Sequence, residues 1–394
     1  METIAAISPP VGPATSARCG DAAWLVEALR ESRRDTLATL AAYEGALPAY
    51  EGALPALEVP LHPELNPPRW ELGHIGWFQA HWTTRNPQLL RGWDADPLAL
   101  PAAADDALYN SSVVAHDARW RLPLPSMAAI RESLAAQLEL TLTLLASLPE
   151  TVSRALYFHR LALLHEDMHH EAALYMARRL GIPISDPRWQ APLLPDPPPP
   201  LAMTGGLIEL GGKMDDGFRF DNECGRQAQE IPPFEIDAQV LRWAEYLPFV
   251  EAGGALPRYL RRTGDGWEQW RHGAWSALDL REPACHLSAE EARAWCRWAG
   301  RRLPTEAEWV CAVREQPEAL HWGAVWEWTD SRFTPFPGFQ PHPYRDYSAP
   351  WFDGRPVLRG ASYLTQPRMR HPDYRNFFGA ARNDIAAGFR TCRA

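Results

Sequence analysis

The first half of the chain repeats apolar residues at intervals of three and four, which is the period of an amphipathic helix. This pattern predicts helices within residues 21–47, 70–82, 125–148 and 153–181. Asp21 and Ser126 stand where N-caps are expected, and Gly181 with Pro183 ends the last of these segments. Successive amphipathic helices bury their apolar faces against one another, so the pattern predicts an antiparallel four-helix bundle.

The pattern changes after residue 191. The sequence PLLPDPPPP at 192–200 favours an extended polyproline conformation and cannot continue a helix. Beyond it, short apolar segments such as GLIELGG, FEIDAQV and PVLRGASYL alternate with Gly, Pro and Asp turns, and one clear helix is predicted at 288–300. The chain is therefore interpreted as a helical bundle at 1–191, a proline-rich linker at 192–200 and an α+β domain at 201–394.

Composition and charge narrow the class of function. A length of 394 residues suits two domains, and a net charge of −10 argues against a general nucleic-acid-binding protein. The first residues lack the pattern of a secretory signal, and no apolar run is long enough for a membrane span. The six cysteines form no CxxC pair, which is typical of reduced thiols. We therefore expect a cytoplasmic protein that acts on small molecules, without a nucleic-acid or membrane partner.

The strongest chemical signal is the sequence HEDMHHE at 165–171, inside the fourth predicted helix. At about 100° per residue, His165 and His169 lie about 40° apart on one face and one turn from each other. Two imidazoles placed in this way can bind the same metal ion. Glu171 lies about 200° round the helix from His169 and cannot easily join them.

A third metal ligand must come from another helix. The second predicted helix offers His74 and His81, which are seven residues apart and therefore share a face. Three imidazoles would leave positions open for substrate and O₂ on iron, or for water on zinc, and spacing alone does not choose the metal. The alternative is that these histidines only pack and form hydrogen bonds within the bundle.

A series of motifs follows in a fixed order along almost the whole chain. The first half contains WELGHIGWF at 70–78 and the pattern HxxxHxE at 165–171. The second half contains GGLIELGG (205–212), FDNE (220–223), RLPTEAEW (302–309), VWEWT (325–329), PFPGF (335–339), VLRGAS (357–362), YRNFF (374–378) and GFR (388–390). In these motifs the chain resembles the ergothioneine-type sulfoxide synthases.

That resemblance implies an architecture and a cofactor. The implied fold class is α plus α+β: an N-terminal DinB-like four-helix bundle, then a C-type-lectin-like domain of the formylglycine-generating-enzyme (sulfatase-modifying factor) type. The implied enzyme is an oxidoreductase with Fe(II) and the co-substrate O₂ that bonds sulfur or selenium to the imidazole C2 of hercynine. The resemblance selects His74 over His81 as the iron ligand beside His165 and His169.

The resemblance also implies residues that handle the substrates. Tyr344, in the stretch after PFPGF, matches a proton or hydrogen donor near the iron, and Tyr347 lies in the same stretch. Asn376 and Phe377 match residues that hold the histidine betaine. Aromatic faces suit this substrate because its trimethylammonium group accepts no hydrogen bond.

The part of the pattern that binds the chalcogen donor departs from the sulfur-using enzymes. Arg119 and Arg382 match arginines that bind a thiol donor, but Phe378 stands where those enzymes have an acid. Loss of the carboxylate removes a partner for an α-ammonium group, and an aromatic face can stack on a sugar. The chain thus resembles most the selenoneine synthases, which use a selenosugar. The alternative is an ergothioneine-type synthase that uses cysteine or γ-glutamylcysteine.

Three other classes of function stay open at this point. A cysteine-oxidising enzyme of the formylglycine-generating type needs a close cysteine pair near the C-terminus, and Cys392 stands alone there. A zinc- or nickel-dependent DinB-type thiol transferase would use the bundle alone. A lectin-like binding module would have no use for a metal site with open positions.

Overall fold

The computed structural model describes residues 12–46, 57–148, 153–214 and 217–394. Backbone contacts divide the chain into two compact units. The helical unit contains Pro13–Ile184 and His342–Asp346, and the mixed unit contains Ser185–Pro341 and Tyr347–Ala394. The helical unit is therefore discontinuous, because a short segment from late in the chain belongs to it.

The helical unit is organised around long helices that correspond to the predicted segments. Its helices are α1 (Pro13–Cys19), α2 (Ala22–Ala46), α3 (Pro68–Trp82), α4 (Asp106–Tyr109), α5 (Met127–Ala146) and α6 (Tyr157–Leu180). Helices α2 and α3 each pack against both α5 and α6, and apolar side chains such as Leu29, Ile75 and Leu134 are buried between them. The predicted packing of four helices is thus present, and residue 47, the last of the first predicted helix, lies outside the described residues.

The predicted helix ends are confirmed at the capping residues. The Trp24 backbone N–H donates to Asp21 Oδ1 at 2.8 Å, and the Ala129 N–H donates to Ser126 Oγ at 3.3 Å. Gly181 ends α6 with a φ of 73°, a left-handed conformation that glycine adopts without strain. The α-helical part of α6 starts later than the predicted residue 153, because Ser153–Leu156 form a 3₁₀ turn before it.

A buried guanidinium links the long helices of this unit. Arg33 of α2 donates from Nε and Nη2 to the Glu166 carboxylate of α6 at 2.8 and 3.1 Å. It also donates to the Leu134 carbonyl of α5 at 2.6 Å and to Gln79 Oε1 of α3 at 3.1 Å. Beside it, Ser32 donates to Asp167 at 2.7 Å. Polar contacts therefore fix the mutual positions of helices whose apolar contacts are less directional.

The mixed unit is built from short strands and a few helices. Its helices are α7 (Trp243–Glu251), α8 (Ala289–Ala299) and α9 (Glu306–Glu315). Its strands are β1 (Leu201–Met203), β2 (Gly206–Leu210), β3 (Gln227–Ile231), β4 (Phe234–Ile236), β5 (Leu260–Thr263), β6 (Gly266–Arg271), β7 (Ala274–Ala277), β8 (Arg301–Arg302), β9 (Trp326–Arg332), β10 (Pro356–Gly360), β11 (Asn376–Phe377), β12 (Ala387–Gly388) and β13 (Cys392–Arg393). The predicted helix at 288–300 is confirmed as α8, which Ser288 and Glu291 cap and Gly300 ends.

Small sheets and buried ion pairs hold the mixed unit together. In the described residues, the strand orders are β1-β4-β13-β8, β11-β10-β9-β12, β5-β6-β7 and β2-β3. Arg390 and Glu327 are both fully buried and pair through two hydrogen bonds, at 2.5 and 2.9 Å. Arg375 pairs in the same way with Glu306. Short strands with long connections thus gain rigidity from buried charge pairs as well as from apolar packing.

Three further observations bear on the expectations from sequence. The polyproline segment is bonded to the mixed unit, because Arg242 donates to the Pro195 carbonyl at 3.0 Å and the Leu194 N–H donates to the Arg281 carbonyl at 2.9 Å. All six cysteines lie in the described part of the chain, and each is a free thiol. None of the described helices combines the length and apolar character that a membrane crossing requires.

We predict that Arg33→Met destabilises the helical unit by about 3–5 kcal/mol, because it leaves the Glu166 carboxylate buried without a cation. The double variant Arg33→Met/Glu166→Leu should be less destabilised, since neither charge then remains. Chemical denaturation followed by far-ultraviolet circular dichroism measures both. Arg30→Met is the matched control on the same helix: its exposed ion pair with Glu27 should contribute only about 0–1 kcal/mol. Equal losses for Arg33→Met and Arg30→Met would contradict the prediction.

Candidate metal centre

Two helices supply three histidines that lie together in the helical unit. His74 comes from α3, and His165 and His169 come from α6, one turn apart. The ring centroids of His165 and His169 are 4.4 Å apart, and the His74 centroid lies 5.0 and 4.9 Å from them. One ring nitrogen of each lies within 4.8 Å of the other two, so together they could hold one metal ion.

Hydrogen bonds at Nδ1 orient two of these imidazoles. Nδ1 of His74 lies 2.7 Å from the carbonyl oxygen of Tyr109, and Nδ1 of His169 contacts the carboxylate of Glu71. A carbonyl and a carboxylate only accept hydrogen bonds, so each Nδ1 carries the hydrogen and donates it. The Nε2 lone pairs of His74 and His169 are then available to a metal.

The donor set fits a divalent transition metal. Nε2 of His165 and Nε2 of His169 are 3.2 Å apart. Two imidazole nitrogens at about 2.1 Å from one ion lie roughly 3 Å apart when the angle at the ion is near 90°. Imidazole suits iron, zinc, copper and nickel, so the donor type alone does not select among these metals.

Burial keeps two of the site histidines neutral. His74 and His165 are each only 2% exposed. Burial, together with the neighbouring His169, lowers the pKa of His74 to about 3 and holds the pKa of His165 well below its ordinary value. Neutral imidazole is the form that binds a metal, so these ligands need lose no proton near neutral pH.

Aromatic rings fix the planes of the same imidazoles. Trp70 stacks on His74 at a centroid distance of 4.7 Å, and Phe78 lies parallel to His165 at 3.4 Å. The Arg119 guanidinium lies 3.8 Å from the Trp70 ring centroid and donates to Asn66 at 2.8 Å. Trp70 therefore contacts both a metal-ligand candidate and the arginine for which the sequence predicts a role in donor binding.

The other candidates on these helices lie outside the group. His81 stacks on Trp77 at a centroid distance of 4.9 Å, and burial is the main reason that its pKa is lowered to about 4. Glu171 is not among the residues whose donor atoms converge. The geometry thus brings His74, and not His81, together with the two histidines of α6.

Tyr344 belongs to the late segment that is part of the helical unit. Its ring meets the edge of Phe78 at a centroid distance of 4.9 Å and lies 6.1 Å from the ring of His165. In the same segment, Asp346 accepts a hydrogen bond from the Ser112 hydroxyl. The tyrosine that the sequence predicts as a proton donor therefore lies beside the histidine group.

The predicted betaine-binding residues lie in the mixed unit. Phe377 stacks on Phe333 at a centroid distance of 4.2 Å, and Asn376 Oδ1 accepts from the Phe377 backbone N–H at 2.8 Å. The hydroxyl of Tyr347 donates to that of Tyr374 at 3.0 Å, and burial raises the pKa of Tyr347 well above its ordinary value. Tyr347 is thus a neutral phenol in the core of its unit.

Arg382 and Phe378 contact each other in the mixed unit. The Arg382 guanidinium lies 5.1 Å from the centroid of the Phe378 ring. Its Nε and Nη2 donate to the carboxylate of Asp384 at 2.6 and 2.8 Å. The charge of Arg382 is therefore balanced by Asp384, two residues further on, while an aromatic ring occupies position 378.

Glu71 is a residue of the site that the sequence interpretation missed. It is 6% exposed, and its pKa is lower than its ordinary value: burial acts to raise it, but His169, His74 and Arg119 outweigh burial. A signal was present, because an acid three residues before His74 on a helix lies on the same face. The pairing with His169 of α6 is a tertiary contact that this signal does not specify.

Comparison with known proteins shows to which family this chain belongs. A family model described as "Sulfatase-modifying factor enzyme 1-like domain" matches residues 195–324. The hercynine oxygenase of Mycolicibacterium thermoresistibile is 30% identical over 402 residues, which covers 83% of this chain and 87% of that protein. The chain belongs to the hercynine oxygenase family. Its Mycobacterium tuberculosis member is 29% identical over 394 residues, covering 83% of this chain and 91% of that protein.

A second group of relatives matches a smaller share of this chain. The formylglycine-generating enzyme of Mus musculus is 29% identical over 189 residues, which is 35% of this chain and 50% of that enzyme. The hercynine oxygenases match a far larger share of the chain, which includes parts of both units. The expected membership of the ergothioneine-type sulfoxide synthase family is confirmed.

We predict that replacing His74, His165 or His169 by Ala abolishes tight binding of a divalent metal while the helix content is unchanged. Each replacement removes one of the three converging nitrogens, and two ligands bind far more weakly than three. Anaerobic titration with Co(II), followed by optical absorption, measures the binding. His81→Ala is the matched control and should bind as the wild type does. Binding that is lost in His81→Ala but kept in His74→Ala would contradict the ligand set.

Proposed function

We propose that this protein is an O₂-dependent, non-haem Fe(II) enzyme that joins a chalcogen to the imidazole C2 of hercynine. The observation that carries the proposal is the three-histidine group in a chain of the hercynine oxygenase family. The reaction balances when the C2–H of hercynine and the X–H of a donor are replaced by a C2–X bond, X being sulfur or selenium. One oxygen atom of O₂ then ends on the chalcogen and the other in water.

His74, His165 and His169 would hold the iron. Bound Fe(II) would supply the open positions at which O₂ and the two substrates are brought together. The chain contributes neutral ligands whose Nε2 atoms are oriented by hydrogen bonds at Nδ1 and by ring stacking. The aromatic rings around the histidines also exclude water, which strengthens electrostatic interactions at the site.

Tyr344 is proposed as the proton donor of the reaction. Its phenol lies in the same unit as the ligands, with its ring 6.1 Å from that of His165. A tyrosine O–H is a suitable acid for oxygen chemistry because it gives up a proton to a strong base and is otherwise neutral at physiological pH.

A selenosugar is proposed as the chalcogen donor, in preference to an amino-acid thiol. An amino-acid donor carries an ammonium and a carboxylate group, and each needs an opposite charge when it is buried. Phe378 provides no carboxylate, and Arg382 is already paired with Asp384. A neutral sugar would need neither charge and could lie against an aromatic ring.

We predict that Tyr344→Phe keeps hercynine binding but slows formation of the C–X bond by about 10²–10⁴-fold, the usual contribution of general acid catalysis. Single-turnover kinetics with product analysis by mass spectrometry measure the effect. Tyr175→Phe is the matched control, since Tyr175 belongs to the same unit and packs in an apolar cluster with Val59 and Met176. An unchanged rate and product ratio in Tyr344→Phe would exclude the role.

The function itself is tested by turnover of the Fe(II)-reconstituted protein in competition assays. We expect O₂ uptake only when hercynine and a donor are both present, and a higher kcat/KM for a selenosugar than for γ-glutamylcysteine or cysteine. Phe378→Asp should weaken use of the sugar, whereas Phe378→Leu removes the ring without adding charge. A higher kcat/KM for γ-glutamylcysteine would make the enzyme a sulfur-using synthase. O₂-independent turnover with zinc would indicate a thiol transferase instead.

A further inference from the structure

The contact between Glu71 and His169 joins the two helices that carry the metal-ligand candidates. Glu71 and His74 lie one turn apart on α3, and the Glu71 carboxylate accepts the Nδ1–H of His169 on α6. Helix α3 therefore influences the geometry of a ligand on α6 as well as supplying a ligand itself. Helix α3 supplies one ligand through His74 and orients a ligand of α6 through Glu71.

The two oriented imidazoles are held by acceptors of different strength. His74 donates to a neutral backbone carbonyl, whereas His169 donates to a carboxylate. A hydrogen bond to an ionised acceptor is roughly twice as strong as one to a neutral acceptor. A carboxylate also raises the basicity of the opposite ring nitrogen, which increases its affinity for a metal. Of the two imidazoles oriented at Nδ1, His169 is thus the one with a negatively charged partner.

A cavity of about 40 Å³ lies next to this contact, and Glu71 and His169 line part of it. Thr36 and Thr39 of α2 line it too, and the Thr36 hydroxyl is buried without a hydrogen-bond partner in the described part of the chain. The cavity leaves room around Glu71. Neighbouring side chains would therefore not hold a shortened residue 71 in contact with His169. The bond to His169 is then the interaction that sets the position of the carboxylate.

We propose that Glu71 is a positioning residue of the metal centre, which holds His169 with the hydrogen on Nδ1 and so directs Nε2 toward the ion. The proposal rests on the three-histidine metal site argued above. It assigns to Glu71 an action on metal affinity and on the tautomer of His169, without contact with substrate. A purely structural role would change the stability of the bundle and neither of these properties.

The first test is Fe(II) affinity, measured anaerobically by competition with a chromogenic chelator. Glu71→Gln keeps the shape of the side chain but removes its charge, and Glu71→Ala removes the acceptor. We expect both to bind Fe(II) about 10–100-fold more weakly than the wild type, the usual effect of losing such a partner of a ligand histidine. Glu71→Asp, which keeps the charge but shortens the side chain away from His169, should also bind Fe(II) more weakly, and it replaces the other variants if they do not fold.

Two matched controls separate this effect from general disturbance of the bundle. Asp167→Asn removes an equally buried carboxylate of α6 that accepts from Ser32 instead of from a ligand. Thr36→Val changes the lining of the same cavity at nearly constant volume. Both should bind Fe(II) as the wild type does. Equal losses in Asp167→Asn and Glu71→Gln, or wild-type affinity in Glu71→Ala, would overturn the proposal.

The second test measures the tautomer of His169 directly. Nitrogen NMR of the metal-free protein with ¹⁵N-labelled histidine should show Nδ1 of His169 protonated in the wild type and mixed tautomers in Glu71→Ala. An identical His169 tautomer in both proteins would overturn the proposal. The metal site and the positioning role of Glu71 can fail separately. If the wild type binds no Fe(II), the metal site itself is wrong. If Fe(II) binding does not depend on Glu71, only the positioning role is rejected.

Discussion

One buried guanidinium is bonded to both helices that carry the site histidines. Arg33 of α2 bonds to side chains or carbonyls of α3, α5 and α6, and its partner Glu166 directly follows the ligand candidate His165. Removing one partner of a buried ion pair is strongly destabilising, because it leaves a buried charge without compensation. The pair therefore restricts how far α6 can rotate or slide relative to α2. Such restriction matters because metal-ligand geometry requires well-positioned ligands.

Three kinds of contact then determine the state of the histidines. Phe78 and Trp70 restrict the imidazole planes, and hydrogen bonds at Nδ1 determine which nitrogen is left for the metal. Burial then keeps the rings of His74 and His165 neutral. Ring stacking, the hydrogen bonds at Nδ1 and burial each restrict the ligands before a metal ion binds. Binding therefore costs little conformational entropy.

The sequence predicted what depends on local periodicity and failed where distant segments meet. The caps at Ser126 and Gly181 and the shared face of His165 and His169 follow from helix geometry, and the structure contains all of them. The buried role of Arg33 could not be predicted, because a charged residue in an amphipathic helix is normally assigned to the exposed face. The choice between His74 and His81 was likewise open from spacing, since both share one face and tertiary packing decides between them.

The segment His342–Asp346 has a consequence for the evolution and the assembly of the chain. It lies some 160 residues after the end of the helical unit's main part, yet it places Tyr344 against Phe78 and Trp82. A gene that encoded only the helices would yield a bundle without this tyrosine, so the two coding regions cannot be exchanged as independent modules. During synthesis, the helical unit also stays incomplete until the ribosome has passed residue 346. Any fragment that ends in the polyproline segment would therefore expose an aromatic surface that the whole protein covers.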